Sequence, residues 1–426
     1  MMILNCFQQL LKINQRFLNS KEVKFMKKLS CAFLVALALC GAAAANVAYT
    51  TVDAGYTGAI GVIDEALQAG RAVGSLRGDA LGASFPQGGR RLYVFLEHDH
   101  TTGDKAAVYN PASWDVPVAN RTWTNAMNVH GLAAYGGNLY AAAHEGGAVI
   151  QVNTSSYTAT GRYYICTAAP AGYVPHAERV LAAGNVIYAL FTATRGSYPG
   201  YTYASSVLVG LDSALNKELV RYEGLGRNAV DMAKIDAGRI AVACRGTGGV
   251  QVVNLNAADG ADWLALEVVS ADDGTALGSV TAVCEDGGGG FYFIAERRDG
   301  AAARPTLTLY RWTGSARYPV KVYEAKGVAG YACQLVRDTA YRNRVFAVMG
   351  DRVAVLEADG RHVKTIGSAE LGGNPTSIAV IDRPAGDGGK DKSSSGGGCG
   401  ALDLGGLALV LPLLALRRRS TPQRRG

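Results

Sequence analysis

The stretch NLYAAAHEGGAVIQVN, residues 138–153, decides the fold. Two short apolar runs, NLYAAA at 138 and AVIQVN at 148, flank the turn His144-Glu145-Gly146-Gly147. Runs this short, bounded by glycine and rich in Val, Ile and Tyr, read as two strands of a hairpin.

The same hairpin recurs along the chain. Its first strand matches NVAYTTV at 46, RLYVFLE at 91, NVIYALF at 185, RIAVACR at 239, FYFIAER at 291 and RVFAVMG at 344. Its second matches AIGVID at 59, AAVYN at 106, SVLVGLD at 206, GVQVVNL at 249, TLTLYRW at 306 and RVAVLEA at 352. Weaker outer segments follow, such as ATGRYYI at 159 and PVKVYEA at 319, and inner segments precede, such as HGLAAY at 130, AVDMAKI at 229 and SVTAVCE at 279. Four strands in each unit of 45 to 54 residues give the period of a β-propeller blade.

Seven such units predict an all-β, seven-bladed β-propeller over residues 46–382. The first unit opens directly on a second-strand motif, and the strand it lacks stands at the far end as TSIAVI, Thr376 to Ile381. A C-terminal strand completing the first blade closes the ring and removes its open edge. An open meander or a sandwich predicts no such complementary ends. Strands of five to seven residues are also shorter than the roughly 9 to 11 that a membrane barrel needs. The 54 glycines are assigned mainly to turns and to a Ser/Gly spacer. With its "LYVA" strand followed by a "V-x-V-N/D" strand, the body resembles YVTN or lactonase-like and quinoprotein-like propellers. Trp-Asp stands once, at Trp114-Asp115, and does not recur from unit to unit as in Trp-Asp-repeat propellers, and no tandem Trp pattern for a quinone is present.

Both ends carry targeting features. Met26 begins MKKLSCAFLVALALCGAAAANVAYT, where Lys27 and Lys28 precede an apolar run and Ala43-Ala44-Ala45, as in a secretory signal over residues 26–45. Residues 1–25 have no role in such a signal and read as an overcalled upstream segment. At the other end, residues 383–398 form a Ser/Gly-rich linker. Residues 399–426 hold Cys399, an apolar run from Ala401 to Leu416 interrupted only by Asp403, and Arg417-Arg418-Arg419. The apolar run is at or below the roughly 17 residues of a minimal membrane helix, and Pro412 weakens it, so a transient or minimal anchor is expected. Arginines on the cytoplasmic side place everything before Cys399 outside. The stretch Ser393 to Arg419 resembles the C-terminal sorting domain of exported Synergistetes proteins, although Gly400 stands where that family usually has Asn. The resemblance implies a membrane sorting protease or export machinery as partner, and processing or modification at Cys399. An ordinary tail anchor is the alternative.

The net charge of +7 belongs to these ends. Residues 1–45 hold six Lys/Arg against Glu22, and residues 393–426 hold five Arg against Asp403, leaving 31 basic and 33 acidic residues between them. No basic stripe marks a nucleic-acid surface. Cys166, Cys244, Cys284 and Cys333 lie in apolar strands without CxxC or metal-ligand spacing, which favours buried thiols over a single disulfide.

In a propeller, the loops after each second strand and the loops between blades share one face. That rim gathers Glu97-His98-Asp99-His100, His144-Glu145, Thr194-Arg195, Arg245 and Glu296-Arg297-Arg298-Asp299, and then Trp123, Asn125, Asn128, His130, His176 and Arg227-Asn228. Three chemistries suit this set. Glu97, His98 and His144 offer carboxylate and imidazole ligands to zinc or a related ion. Glu97 or Glu145 with a histidine such as His130 offers acid/base groups for a saccharide or an ester. Arg195, Arg245 and Arg297 offer forked donors to an anion or an acidic peptide. His98, His144, Arg195, Arg245, Glu296 and Arg297 are the candidate ligand-binding residues, and solvated loop charge is the alternative for each. No phosphate loop or nucleophile elbow is present. The insertion from Arg195 to Ser206 places Tyr198, Tyr201 and Tyr203 on a loop, either for a partner or packed on the blade edge. The expected protein is an exported, envelope-anchored propeller that binds a protein or small ligand at one rim. The alternative is a propeller hydrolase or lyase.

Overall fold

The computed structural model describes residues 47–380, apart from 53–56, 65, 78–79, 82–90, 97–104, 111–116, 118, 124–125, 168, 198–199, 258–261, 301–302, 331–332 and 340–341. Glu97, His98, Tyr198, Cys399, the signal-like segment, the linker and the tail lie outside the described residues. Among the described residues, no helix is long and apolar enough to cross a membrane.

Seven antiparallel sheets follow one another along the chain. Blade 3 has the plain form, with strands Val129–Tyr135, Asn138–Ala143, Ala148–Asn153 and Thr158–Ile165 from the inside outwards. Blade 4 comprises Val174–Ala183, Val186–Arg195, Ser205–Asp212 and Glu218–Arg227. Blade 5 comprises Ala229–Lys234, Arg239–Cys244, Val250–Asn254 and Leu264–Val268, and blade 6 comprises Ser279–Glu285, Phe291–Arg297, Thr306–Trp312 and Val320–Ala325. Blade 7 comprises Cys333–Arg337, Val345–Met349, Arg352–Leu356 and His362–Gly367, followed by the one-turn helix Ser368–Leu371, which the sequence reading does not include. In blade 2 the described part of the inner strand is Ala80–Leu81, beside Leu92–Leu96, Lys105–Tyr109 and Ala119–Thr122.

Blade 1 closes the ring as its sequence requires. The C-terminal strand Asn374–Val380 pairs antiparallel with Val47–Val52, from Val47 opposite Val380 to Val52 opposite Asn374, and Thr57–Ile63 and Ala69–Arg77 complete the sheet.

Packing explains why the second strands are the clearest in sequence. Each is sandwiched between two neighbouring blades, so both of its faces must be apolar and no polar alternation survives. In blade 1, Val47 and Tyr49 join a cluster with Phe346, Val348 and Val355 of blade 7, while Ala48 joins Leu92 and Val94 of blade 2. Seven such clusters occupy the seven seams, and the pair flanking blade 1 ties both chain ends into the ring. Outer strands such as Thr158–Ile165 reach solvent, with Tyr163 and Ile165 half exposed.

Tyrosines on the second strands of blades 3 and 6 tie those blades to the next. Tyr140 donates to Ser213 O of blade 4 at 2.6 Å, and Tyr292 donates to Ala358 O of blade 7 at 2.9 Å. Cys166, Cys244 and Cys284 are buried free thiols and Cys333 is a half-buried one, with no disulfide among the described residues.

A bulge recurs on the inner strands. His130, Glu178, Val230, Thr281 and Thr376 are each the extra residue where an inner strand slips one position against its neighbour. A bulge re-aims the extra side chain out of the pleat. Here it falls near the start of each inner strand, at the rim end where the turns after the second strands emerge. The residues that follow the bulges tie the inner edges together. Arg179 Nε donates to Asp231 Oδ1 at 2.9 Å, and Asp231 Oδ2 accepts from Val283 N at 3.0 Å.

Candidate functional site

At the seam of blades 3 and 4, two bulges and one turn bring five ionisable groups together. His130 comes from the bulge of blade 3, His144 and Glu145 from the turn after its second strand, and His176 and Glu178 from the inner strand of blade 4. The three imidazoles stack in a column: His130 and His144 have centroids 4.2 Å apart at 25°, and His144 and His176 lie 4.4 Å apart at 22°.

Glu178 is the pivot, with a side chain 8% exposed. His130 Nδ1 donates to its Oε2 at 2.8 Å, and His144 Nε2 stands 3.3 Å from its Oε1. On the other side of His144, Glu145 Oε1 lies 3.5 Å from Nδ1, too far for a hydrogen bond, and that buried nitrogen has no hydrogen-bond partner. His176 is held differently. Its Nδ1 donates to His144 O at 3.1 Å, so Nε2 of the neutral ring accepts from Thr194 Oγ1 at 2.8 Å.

Charge follows from these contacts. Burial opposes an ionised Glu178, but the His130 charge and the hydrogen bonds from His130 and His144 outweigh it and hold its carboxyl well below the usual range. Burial also opposes a charged His144, yet the carboxylates of Glu145 and Glu178 push its pKa up to about 9. Burial lowers the pKa of His130 and of His176, and a protonated His144 beside each ring lowers it further. Of the three imidazoles, His144 is therefore the one that holds a proton most readily, between the carboxylates of Glu145 and Glu178.

Two donor sets arise here, with one ligand atom from each residue lying within 4.8 Å of the others: His130, His144 and Glu178, and then His144, Glu145 and His176. The first fits a metal better, because both nitrogens of His176 already have partners. A His, His, carboxylate set suits zinc, and Glu145 stands on the opposite, Nδ1 side of the His144 ring, about a third exposed.

The remaining candidates form a second cluster on blades 5 and 6. Glu296 Oε1 accepts from Arg298 Nε at 2.7 Å, and Arg245 lies 3.5 Å from Glu296 Oε2. Arg297 pairs with Asp299 at 3.3 Å and is largely exposed, and Arg195 lies over the Tyr173 ring at 5.1 Å. The candidates thus fall into groups at different seams of the ring. Between them lies Tyr203, within electrostatic reach of both Arg245 and Glu178. The expectation of a loop at Tyr203 is corrected: Thr202–Tyr203 pairs with Thr194–Arg195 as a short extra strand, and Tyr201 packs edge-on against Tyr203.

Glu178 is the residue that the sequence reading missed. A carboxylate two residues after His176, inside an otherwise apolar strand, was its only signal.

No family model matches this chain, and no curated protein does. Solved structures do resemble it. A putative 6-phosphogluconolactonase from Bacteroides fragilis superposes with a TM-score of 0.58 at 12% identity, over 80% of this chain and 99% of that one. A putative 6-phosphogluconolactonase from Bacteroides uniformis gives 0.54 at 12%, over 79% and 98%. The WD40 propeller domain of Doa1 gives 0.51 at 11%, over 73% and 88%. What they share with this chain is the propeller. At such identities the likeness establishes a fold and no chemistry.

Proposed function

We propose that this protein is an exported propeller that binds a zinc-class transition-metal ion at the mouth of its ring. His130, His144 and Glu178 are the ligands, and Glu145 lies on the far side of the His144 ring. The observation that carries the reading is the convergence of these side chains, from two blades, on the buried carboxylate of Glu178. His176 is a positioning residue. It is locked to Thr194 and to the backbone of His144, and it packs on the His144 ring.

The ligand rings are stacked, and a metal bonds imidazole in the ring plane. Uptake therefore requires His144 to surrender its proton and the rings to fan apart. Both movements are open to partly exposed side chains on a turn and a bulge. Export and anchoring rest on the sequence alone, on the signal-like residues 26–45 and the sorting-type tail 399–426. In this reading, Cys399 is the site of processing by a membrane protease.

A propeller hydrolase or lyase would draw on Glu145, His130 and Glu97. Glu145 meets an imidazole at 3.5 Å, and the lactonase-like neighbours add only the fold.

Competition against a zinc-indicator dye tests the metal reading. One zinc should bind per chain, and the dye should retain it with Glu178→Gln or His144→Ala. A wild-type protein that leaves the dye saturated would refute the reading.

A further inference from the structure

The second cluster borders a groove of about 480 Å³ between the turn after the second strand of blade 5 and the connection from blade 5 to blade 6. Its walls include Arg245, Thr247, Ser270 and Ser279, and its floor includes Gly248 and Gly278. These two glycines have positive φ, and a Cβ on either would fall within 2.8 Å of a neighbouring carbonyl oxygen. Side chains are therefore excluded from the floor by the close approach of the blades, which leaves room above it.

The charge beside the groove is mixed, because Asp272 and Asp273 are exposed on the same connection and Glu296 lies between two guanidiniums. Glu296 is the one carboxylate recorded against both Arg245 and Arg298, and its side chain is 12% exposed while both guanidiniums are about half exposed. The hydrogen bond to Arg298 is short, whereas Arg245 stands off at 3.5 Å. A guanidinium carries five N–H donors in a planar fork that matches a carboxylate edge, so most of the capacity of Arg245 faces the groove and solvent. Hydroxyls of Thr247, Ser270 and Ser279 add polar groups along the wall. The volume falls in the range of roughly 300–1,000 Å³ typical of small-molecule sites.

We propose that this groove binds a small organic anion through a carboxylate seated on Arg245. Glu296 acts as an internal competitor for the same guanidinium. The site is separate from the histidine column and needs no metal.

Calorimetric titration of glutarate into metal-free full-length protein tests this. Saturable binding is expected, at least tenfold weaker in Arg245→Gln and in Arg245→Lys, which keeps the charge and loses the fork. Glu296→Gln should tighten it several-fold by freeing Arg245. Arg317→Gln, which removes an exposed arginine from the opposite face, should change nothing. No saturable binding, or binding indifferent to both Arg245 variants, would overturn the proposal. Inorganic phosphate binding equally well with the same variant pattern would overturn the carboxylate assignment.

Discussion

His144 Nε2 stands 3.3 Å from Glu178 Oε1, although the two residues belong to different blades. One buried carboxylate thereby ties a turn of blade 3 to the inner strand of blade 4, and it organises the histidine column. Replacing the carboxylate by an amide removes its charge and turns a donor toward one of the two imidazoles in a largely buried site. Glu178→Gln should lower the stability of the metal-free protein by about 2 kcal/mol. An unchanged urea midpoint would show that Glu178 plays no part in joining the blades.

Closure by the C-terminal strand predicts a core penalty at the far end of the sequence. Ile378 is fully buried in the seam between blades 7 and 1, beside Val47 and Phe346. Ile378→Ala should cost about 3 kcal/mol, the usual scale for truncating a buried Ile. Urea unfolding followed by tryptophan fluorescence measures it, and a loss below ~0.5 kcal/mol would mean that the ring does not depend on this strand.

Tyr49 lies directly opposite Gly61 in the pairing of blade 1, and its ring fills the space that a Cβ on Gly61 would take. Tyr49 is buried and its hydroxyl donates to Leu371 O at 3.2 Å, so it has little freedom to move aside. Gly61→Ala should therefore destabilise the protein by about 1–3 kcal/mol through overpacking. A melting temperature equal to that of the parent would contradict this packing.

The four body thiols should differ in reactivity. Burial pushes Cys333 up to about 11 and Cys244 up to about 12, and it raises Cys284 well above the ordinary thiol value. Only the thiolate is nucleophilic, so alkylation of native protein at pH 8 should be slow. Cys333, the least buried by surface exposure, should react first. Below its pKa its rate should climb about tenfold per pH unit. Peptide mapping after iodoacetamide treatment reads this, and rapid labelling of Cys284 in folded protein would contradict the burial described.

Much of the fold was legible because a strand packed on both faces must be apolar throughout. The second-strand motifs at 46, 91, 138, 185, 239, 291 and 344 fall within one residue of strands that begin at Val47, Leu92, Asn138, Val186, Arg239, Phe291 and Val345. Outer strands such as Leu264–Val268 were faint because solvent relieves that constraint. Half of the site was legible as well. His130, His144, Glu145 and His176 were placed on one rim, and they meet. Glu178 was hidden because its aim depends on a one-residue slip between strands, which no local pattern announces. Arg195, expected among the ligand residues, lies over the Tyr173 ring.

The central claim is that the histidine column and Glu178 hold one metal ion. Crystals of the full-length protein grown with one equivalent of zinc, measured on either side of the zinc absorption edge, test it most directly. One anomalous peak is predicted, about 2.0–2.2 Å from nitrogens of His130 and His144 and from an oxygen of Glu178. A map with no peak at that seam, or with zinc bound only elsewhere, would contradict it.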